Sequence, residues 1–179
     1  EEIIMDSEKY EYKYLPSTKL YSKYTVSTLN HTEKEIPLTT EIFERITTIG
    51  TTYHKAMEFL DFNKTDEKTI KQQIAQMIQL NIITKDQSDL LKIEYLQKVL
   101  KSELFQIARQ GQCLKEYGFT MYVPVNQVIE NETSTDKILV QGVLDLVIKY
   151  NNEVYVVDYK YSNNSEEELT ERYKKQLYL

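Results

Sequence analysis

Apolar and polar positions change rhythm once along this chain, near residue 112. Before that point the spacing is helical. Residues 39–62 read mainly as helix, interrupted or restarted near Gly50, with Thr51 as a plausible N-cap and Tyr53, Met57 and Leu60 on the apolar face. Residues 66–80 repeat Ile70, Ile74, Met77 and Ile78 at helical spacing behind a capping Asp66, and Asn81 ends the run. Thr84 opens another stretch in which Leu90, Leu91, Ile93 and Leu96 keep the period, and a further helix covers 98–109. These helices carry no obvious chemical motif and read as packing elements. Residues 1–38 look irregular or extended, punctuated by Pro16 and Pro37, with Tyr24–Leu29 as a short strand or helix start.

Beyond residue 112 aromatic and β-branched residues favour strands. The run 117–129 reads as one strand, and 130–136 (ENETSTD) as a polar turn. KILVQGVLDLVIKY and EVYVVDYKY follow as two strands joined at Asn151-Asn152. Ser165 with Glu168 forms an S-x-x-E capping box that opens a last helix. The order of helices, strand, hairpin and helix predicts an α/β (α+β) domain with a small mixed sheet. One domain is expected over 1–179, divided into an N-terminal extension (1–38), a helical part (39–112) and a sheet core with its last helix (113–179).

The hairpin is where chemistry enters. Asparagine tolerates positive φ, so Asn151-Asn152 suits a two-residue turn with Tyr150 opposite Glu153. That register puts Asp145 opposite Asp158, and strand alternation puts Lys160 on the same face as Asp158. Val143, Val147, Val154 and Val156 share that face, while Leu144, Leu146, Ile148, Tyr155 and Val157 form the other. Strands apolar on both faces are expected to be covered on both. Two opposed carboxylates in such a setting repel, and loss of water worsens it. A proton, Lys160 or a metal must compensate. A divalent cation balances both charges, and hard oxygen donors suit Mg²⁺ or Mn²⁺. The bland reading is an Asp158–Lys160 ion pair with Asp145 at an exposed strand end.

Composition sharpens this only in part. Apolar residues are 41% and charged residues 28% of the chain, ordinary for a globular protein. No apolar run approaches the ~20 residues of a membrane helix, and the acidic N-terminus lacks the pattern of a signal peptide. The single cysteine, Cys113, excludes an internal disulfide and any multi-cysteine metal or iron–sulfur site, and points to a cytoplasmic location. There is no G-x-x-x-x-G-K-[ST] loop, hence no ATP site of that type. The formal net charge of −6 argues against a free-standing DNA-binding domain, because phosphate contacts need Lys and Arg.

Five segments together resemble a known family. Gly142-Val143-Leu144-Asp145-Leu146 followed by Val156-Val157-Asp158-Tyr159-Lys160 resembles the G-h-h-D…h-h-D-Y-K core of PD-(D/E)XK nucleases, most closely the AddA/RecB branch. Tyr173-Lys174-Lys175-Gln176-Leu177 resembles that branch's Y-x-x-Q-L helix, and Gly50-Thr51-Thr52-Tyr53-His54 its G-T-x-x-H helix. Lys115-Glu116-x-x-Phe119 faintly resembles its R-E-x-P-F strand, with Gly118 in place of the proline. Tyr24-Thr25-Val26-Ser27-Thr28-Leu29 resembles its S-V-S-x-L stretch.

The resemblance implies a restriction-endonuclease-like core with an inserted helical segment. It implies a Mg²⁺- or Mn²⁺-dependent deoxyribonuclease of the cluster-free type, cut from a larger helicase–nuclease of double-strand-break repair and recombination. Asp145, Asp158, His54 and the Tyr159 backbone carbonyl would hold the metal. Lys160 would orient or deprotonate the attacking water, Gln176 would contact DNA phosphate or brace Lys160, and Tyr173 would lie near the substrate. The implied partners are DNA, single-stranded and fed by a helicase, the rest of the helicase chain, and a partner subunit. Two other functions compete: an inactive nuclease-like module that grips DNA or another protein, and a structural domain whose D-x-K is a surface ion pair.

Overall fold

The computed structural model describes residues 23–25, 40–128, 134–162, 164–165, 167–170 and 173. The described residues of 33–118 and 143–164 form one compact unit, and those of 1–32, 119–142 and 165–179 form another.

The first unit is built on helices. Helix α1 (Thr40–Phe59) runs unbroken through Gly50. The expected restart fails because Thr51 does not cap. Its hydroxyl donates to the Thr47 carbonyl at 2.9 Å, as Thr52 does to Thr48 at 2.7 Å, so the threonine run is satisfied inside the helix. Helix α2 (Glu67–Gln79) starts at Asp66, whose carboxylate accepts the Thr69 N–H at 3.0 Å. It stops at Asn81, which adopts φ 56°. There the N–H groups of Asn81 and Ile82 return to the carbonyls of Ile78 and Met77, closing the helix end.

Thr84 opens α3 (Lys85–Asp89) with a reciprocal capping box, Gln87 being its partner. Two further helices, α4 (Ile93–Leu100) and α5 (Glu103–Gln110), replace the longer runs expected from periodicity. Their apolar faces meet in one core, where Leu60, Ile70, Leu96 and Leu100 are at most 1% exposed and Phe62 packs edge-on against Phe105.

Gly111 then joins helix to sheet. A Cβ there would stand 2.7 Å from the Lys149 carbonyl, so only glycine allows this approach. Strand β2 (Gln112–Pro124) therefore begins earlier than the 117–129 expected from composition, and residues Val125–Val128 turn as a short helix, α6. The long strand β3 (Lys137–Tyr150) turns through Asn151 (φ 49°) and Asn152 (φ 64°) into β4 (Glu153–Val157). Positive φ at both turn residues matches the right-handed twist of the strands. The register pairs Tyr150 with Glu153 and Leu146 with Val157, as the sequence predicts. Ladder pairing stops there, so Asp145 and Asp158 are not a ladder pair.

The sheet is mixed, as expected: β3 pairs antiparallel with β4, pairs parallel with β1 (Lys23–Thr25) through Leu139–Gln141, and has β2 as a further neighbour. In the second unit Val123, Val125, Ile138 and Val140 make a small core. The predicted box is present there too: the Ser165 N–H donates to Glu168 at 3.0 Å, and the Glu168 N–H donates to the Ser165 hydroxyl at 3.3 Å.

One expectation holds only in part. The hairpin is covered only in part on its second face: Leu146 and Ile148 are fully buried on one face, while on the other Val147 is buried at 5% exposure but Val143, Val154 and Val156 are each more than half exposed. The open face is the one that carries Asp145.

Candidate metal centre

Helix α1 carries His54 close to its buried Ala56 and Met57, and is tied to α4 where the Tyr53 hydroxyl accepts the Lys92 N–H at 2.9 Å. His54 Nδ1 lies 3.2 Å from Asp145 Oδ1. The other carboxylate oxygen, Oδ2, accepts the Tyr159 N–H at 2.6 Å. Asp145 thus fixes the imidazole on one side and the chain leaving β4 on the other. This bond is a physical reason for the ladder to end: Tyr159 gives its donor to a side chain.

The electrostatics follow. The hydrogen bond to Asp145 raises the His54 pKa above its usual value, against the opposing effect of burial, and the Tyr159 backbone helps it upward. Burial pushes Asp145 up, but the bonds from His54 and Tyr159 and the positive charges of His54 and Lys160 outweigh it and hold Asp145 below the ordinary range. The Asp145 side chain is only 11% exposed.

The second carboxylate near Asp145 is Glu116. Donor atoms of His54, Glu116 and Asp145 lie within 4.8 Å of one another. Glu116 gets there through an irregular backbone, φ 48°, inside β2. In a regular strand Lys115 and Glu116 would face opposite ways. Instead both serve α1: Glu116 reaches His54, while Lys115 Nζ donates to the carbonyls of Met57 (3.1 Å), Glu58 (3.0 Å) and Leu60 (2.5 Å). A non-glycine residue in this region is costly and marks a position the surroundings enforce. Burial, then the charges of Asp145 and Glu58, raise the Glu116 pKa. Burial lowers Lys115 to about 8.

Each predicted site residue can now be located. His54 and Asp145 come together. Asp158 is engaged by Lys160, Nζ to Oδ2 2.5 Å, and stands outside the three-residue group. Glu116 thus adds a like charge near Asp145 that the hairpin register does not predict. Lys160 is near enough to bear on both His54 and Asp145. Tyr159 packs its ring edge-on to His54 at 5.9 Å, and its buried hydroxyl has no hydrogen-bond partner among the described residues. Glu58 pairs with Lys55 at 3.0 Å on the helix surface. Tyr173 is helical and half-buried in the second unit, and Gln176 lies outside the described residues. Sequence reasoning leaves Glu116 out of the site. Its one signal is the faint Lys115-Glu116-x-x-Phe119 match, which alternation along a strand does not turn toward His54.

An imidazole and two crowded carboxylates make a donor set suited to a divalent cation. Comparison with known proteins agrees with this chemistry. The model of the PD-(D/E)XK nuclease superfamily matches residues 22–179. The chain belongs to that superfamily. It is similar to the A subunit of the ATP-dependent helicase/nuclease of Clostridium acetobutylicum, 28% identical over 137 residues, covering 72% of this chain and 11% of that protein. The same protein of Staphylococcus saprophyticus is 32% identical over 143 residues (72% and 12%). That of Clostridium kluyveri is 24% identical over 192 residues (93% and 16%). The chain thus spans about a tenth to a sixth of the length of these relatives. No helix among the described residues is long and apolar enough to cross a membrane.

Proposed function

We propose that this chain is a divalent-metal-dependent deoxyribonuclease domain that hydrolyses phosphodiester bonds, acting as an exonuclease on single strands delivered by a helicase in double-strand-break repair. The 179 residues work as one nuclease domain of a larger cytoplasmic helicase–nuclease, in contact with the rest of that chain and with a partner subunit. The observation that carries this reading is the convergence of His54, Glu116 and Asp145, with Lys160 close by, inside a chain of the nuclease superfamily. Basic surface on the rest of the helicase would offset the net charge of −6.

His54, Asp145 and Glu116 would hold Mg²⁺ or Mn²⁺, with Asp158 and the Tyr159 carbonyl as further ligands. A bound cation supplies Lewis acidity toward the phosphoryl oxygen and lowers the pKa of water. The chain's own groups do the rest. Asp145 keeps the imidazole of His54 oriented and fixes the backbone of Tyr159. Asp158 holds the Lys160 ammonium, which orients the attacking water and balances charge developing on the phosphorus oxygens. Gln176 and Tyr173 take the substrate-facing roles that the family pattern implies.

The test is calorimetric titration of Mn²⁺ or Mg²⁺ into wild type and Asp145→Ala, with cleavage of single-stranded DNA assayed on the same samples. Metal binding lost in the variant, with metal-dependent cleavage by wild type, is the expected result. Folded proteins that bind no metal at millimolar concentration would refute it.

A further inference from the structure

Ladder pairing ends at Val157, so the sheet does not place the segment Asp158-Tyr159-Lys160-Tyr161 that carries the lysine. Side chains place it instead. The Tyr159 N–H donates to Asp145 Oδ2 at 2.6 Å, and the Tyr159 ring meets His54 edge-on with centroids 5.9 Å apart. Further along, Tyr161 lies parallel to Tyr53, with ring centroids 5.1 Å and planes 14° apart. Consecutive residues of α1, Tyr53 and His54, thus receive Tyr161 and Tyr159. Both tyrosines are half-buried, and Lys160 between them is exposed. Tyr53 is itself held fast: it packs against the helical core, and its hydroxyl accepts the Lys92 N–H at 2.9 Å. Tyr161 is not among the side chains packed on that core, so filling the core does not account for the stack.

We propose that the Tyr53–Tyr161 stack is a clasp that positions Lys160 for the reaction, which makes Tyr53 and Tyr161 positioning residues of the site. The proposal rests on the nuclease reading and adds to it two residues with a stated task. Tyr53 fills an unspecified place in the G-T-x-x-H pattern and Tyr161 follows D-Y-K, so the family pattern gives neither a role. Lys160 pairs with Asp158, and its charge bears on His54 of α1 and Asp145 of β3. It reaches them from a segment without ladder bonds, so that segment needs another fastening to α1. Tyr159 supplies one on the near side of Lys160 and Tyr161 one on the far side. With both flanking residues fixed, the long lysine side chain starts from one defined point, and small displacements of a reacting group are expensive in rate. The clustered donors His54, Glu116 and Asp145 lie on α1, β2 and β3, outside the clasped segment. Loss of the stack therefore costs turnover far more than metal affinity.

The experiment compares wild type with Tyr161→Ala, Tyr161→Leu and Tyr161→Phe. In the metal-free proteins, amide hydrogen exchange at Tyr159 reads how firmly the segment is held, since that N–H is the donor to Asp145. In Mn²⁺, cleavage of a single-stranded oligonucleotide gives kcat and KM, and calorimetry gives metal affinity. We expect Tyr161→Ala to exchange about tenfold faster at Tyr159 and to lose about tenfold or more in kcat, with KM and metal affinity close to wild type. Tyr161→Leu, which keeps apolar bulk without a ring, should behave in the same way and serves if the Ala variant does not fold. Tyr161→Phe keeps the ring and should match wild type in every readout. Unchanged Tyr159 exchange and kcat in the Ala and Leu variants would overturn the clasp, as would a Phe variant as slow as they are. Metal affinity that falls as far as kcat would also overturn it, by assigning the stack to the metal centre instead of Lys160. A wild type that neither binds metal nor cleaves DNA would refute the nuclease reading instead, and the exchange rates would then decide the clasp alone.

Discussion

The two faces of the β3–β4 hairpin are made from the same kinds of residue and are used in opposite ways. On one face Leu146 and Ile148 are sealed against the helical core. On the other, which carries Asp145, Val147 is buried but Val143, Val154 and Val156 remain open. The buried face stabilises the fold. The open face leaves apolar surface in water and gathers carboxylates that repel one another, with Glu116 held in an irregular backbone to join them. Stability and chemistry are thus divided between two sides of one element a single pleat thick, and substitutions on the two sides should fail in different assays.

The largest effect should come from the open face. Asp145→Ala should lower cleavage by about a thousandfold or more, since several kcal/mol of transition-state stabilisation depend on the metal it holds. A circular dichroism spectrum close to wild type is expected alongside. The mirror experiment is Leu146→Ala, which should cost about 2–5 kcal/mol in urea unfolding, as for other large-to-small changes in cores. Comparable loss of stability in both variants would erase the distinction drawn between the faces.

Smaller effects sharpen it. Lys115→Met should destabilise by about 1–3 kcal/mol, because the carbonyls of Met57, Glu58 and Leu60 lose their shared donor. Its neighbour Glu116→Gln should do the reverse: metal affinity falls about tenfold or more while the metal-free protein is as stable as wild type or slightly more so, one repelling charge being gone. Calorimetry and urea unfolding on the same two variants decide whether adjacent residues have these separate tasks.

The smallest effect is in pH. His54 has a raised pKa in the folded protein, so its pairing with Asp145 contributes stability fully below pH 6.5 and loses it as pH rises through the folded value. Asp145 is shifted down, so its share persists above 3.8 and is lost only as pH falls through its lower folded value. In EDTA, the melting temperature of wild type relative to His54→Asn should therefore decline as pH rises above 6.5. Metal binding must displace the His54 proton, so apparent metal affinity should climb over the same range. A flat difference between the two proteins would remove His54 from the pair.

Much of this was legible in the chain because it is governed by local rules. Asp66, Thr84 and Ser165 cap as their side chains require, Asn81 stops a helix, and Asn151-Asn152 sets the hairpin register. Gly50 and Thr51 misled, because threonine hydroxyls can be satisfied by the preceding turn as well as by a helix start. Hairpin register singled out Asp145, which the structure sets beside His54, and the D-x-K spacing brought Asp158 to Lys160.

By itself the sequence determined the caps, the turn, the face on which Asp145 sits and the family to which the chain belongs. Only the tertiary structure decided which groups Asp145 meets. His54 comes from a helix 91 positions earlier in the chain numbering, and Glu116 enters through a backbone irregularity in another strand. No periodicity records either event, because a bend in one strand and the docking of one helix depend on packing between distant segments, as with Lys115 on the end of α1.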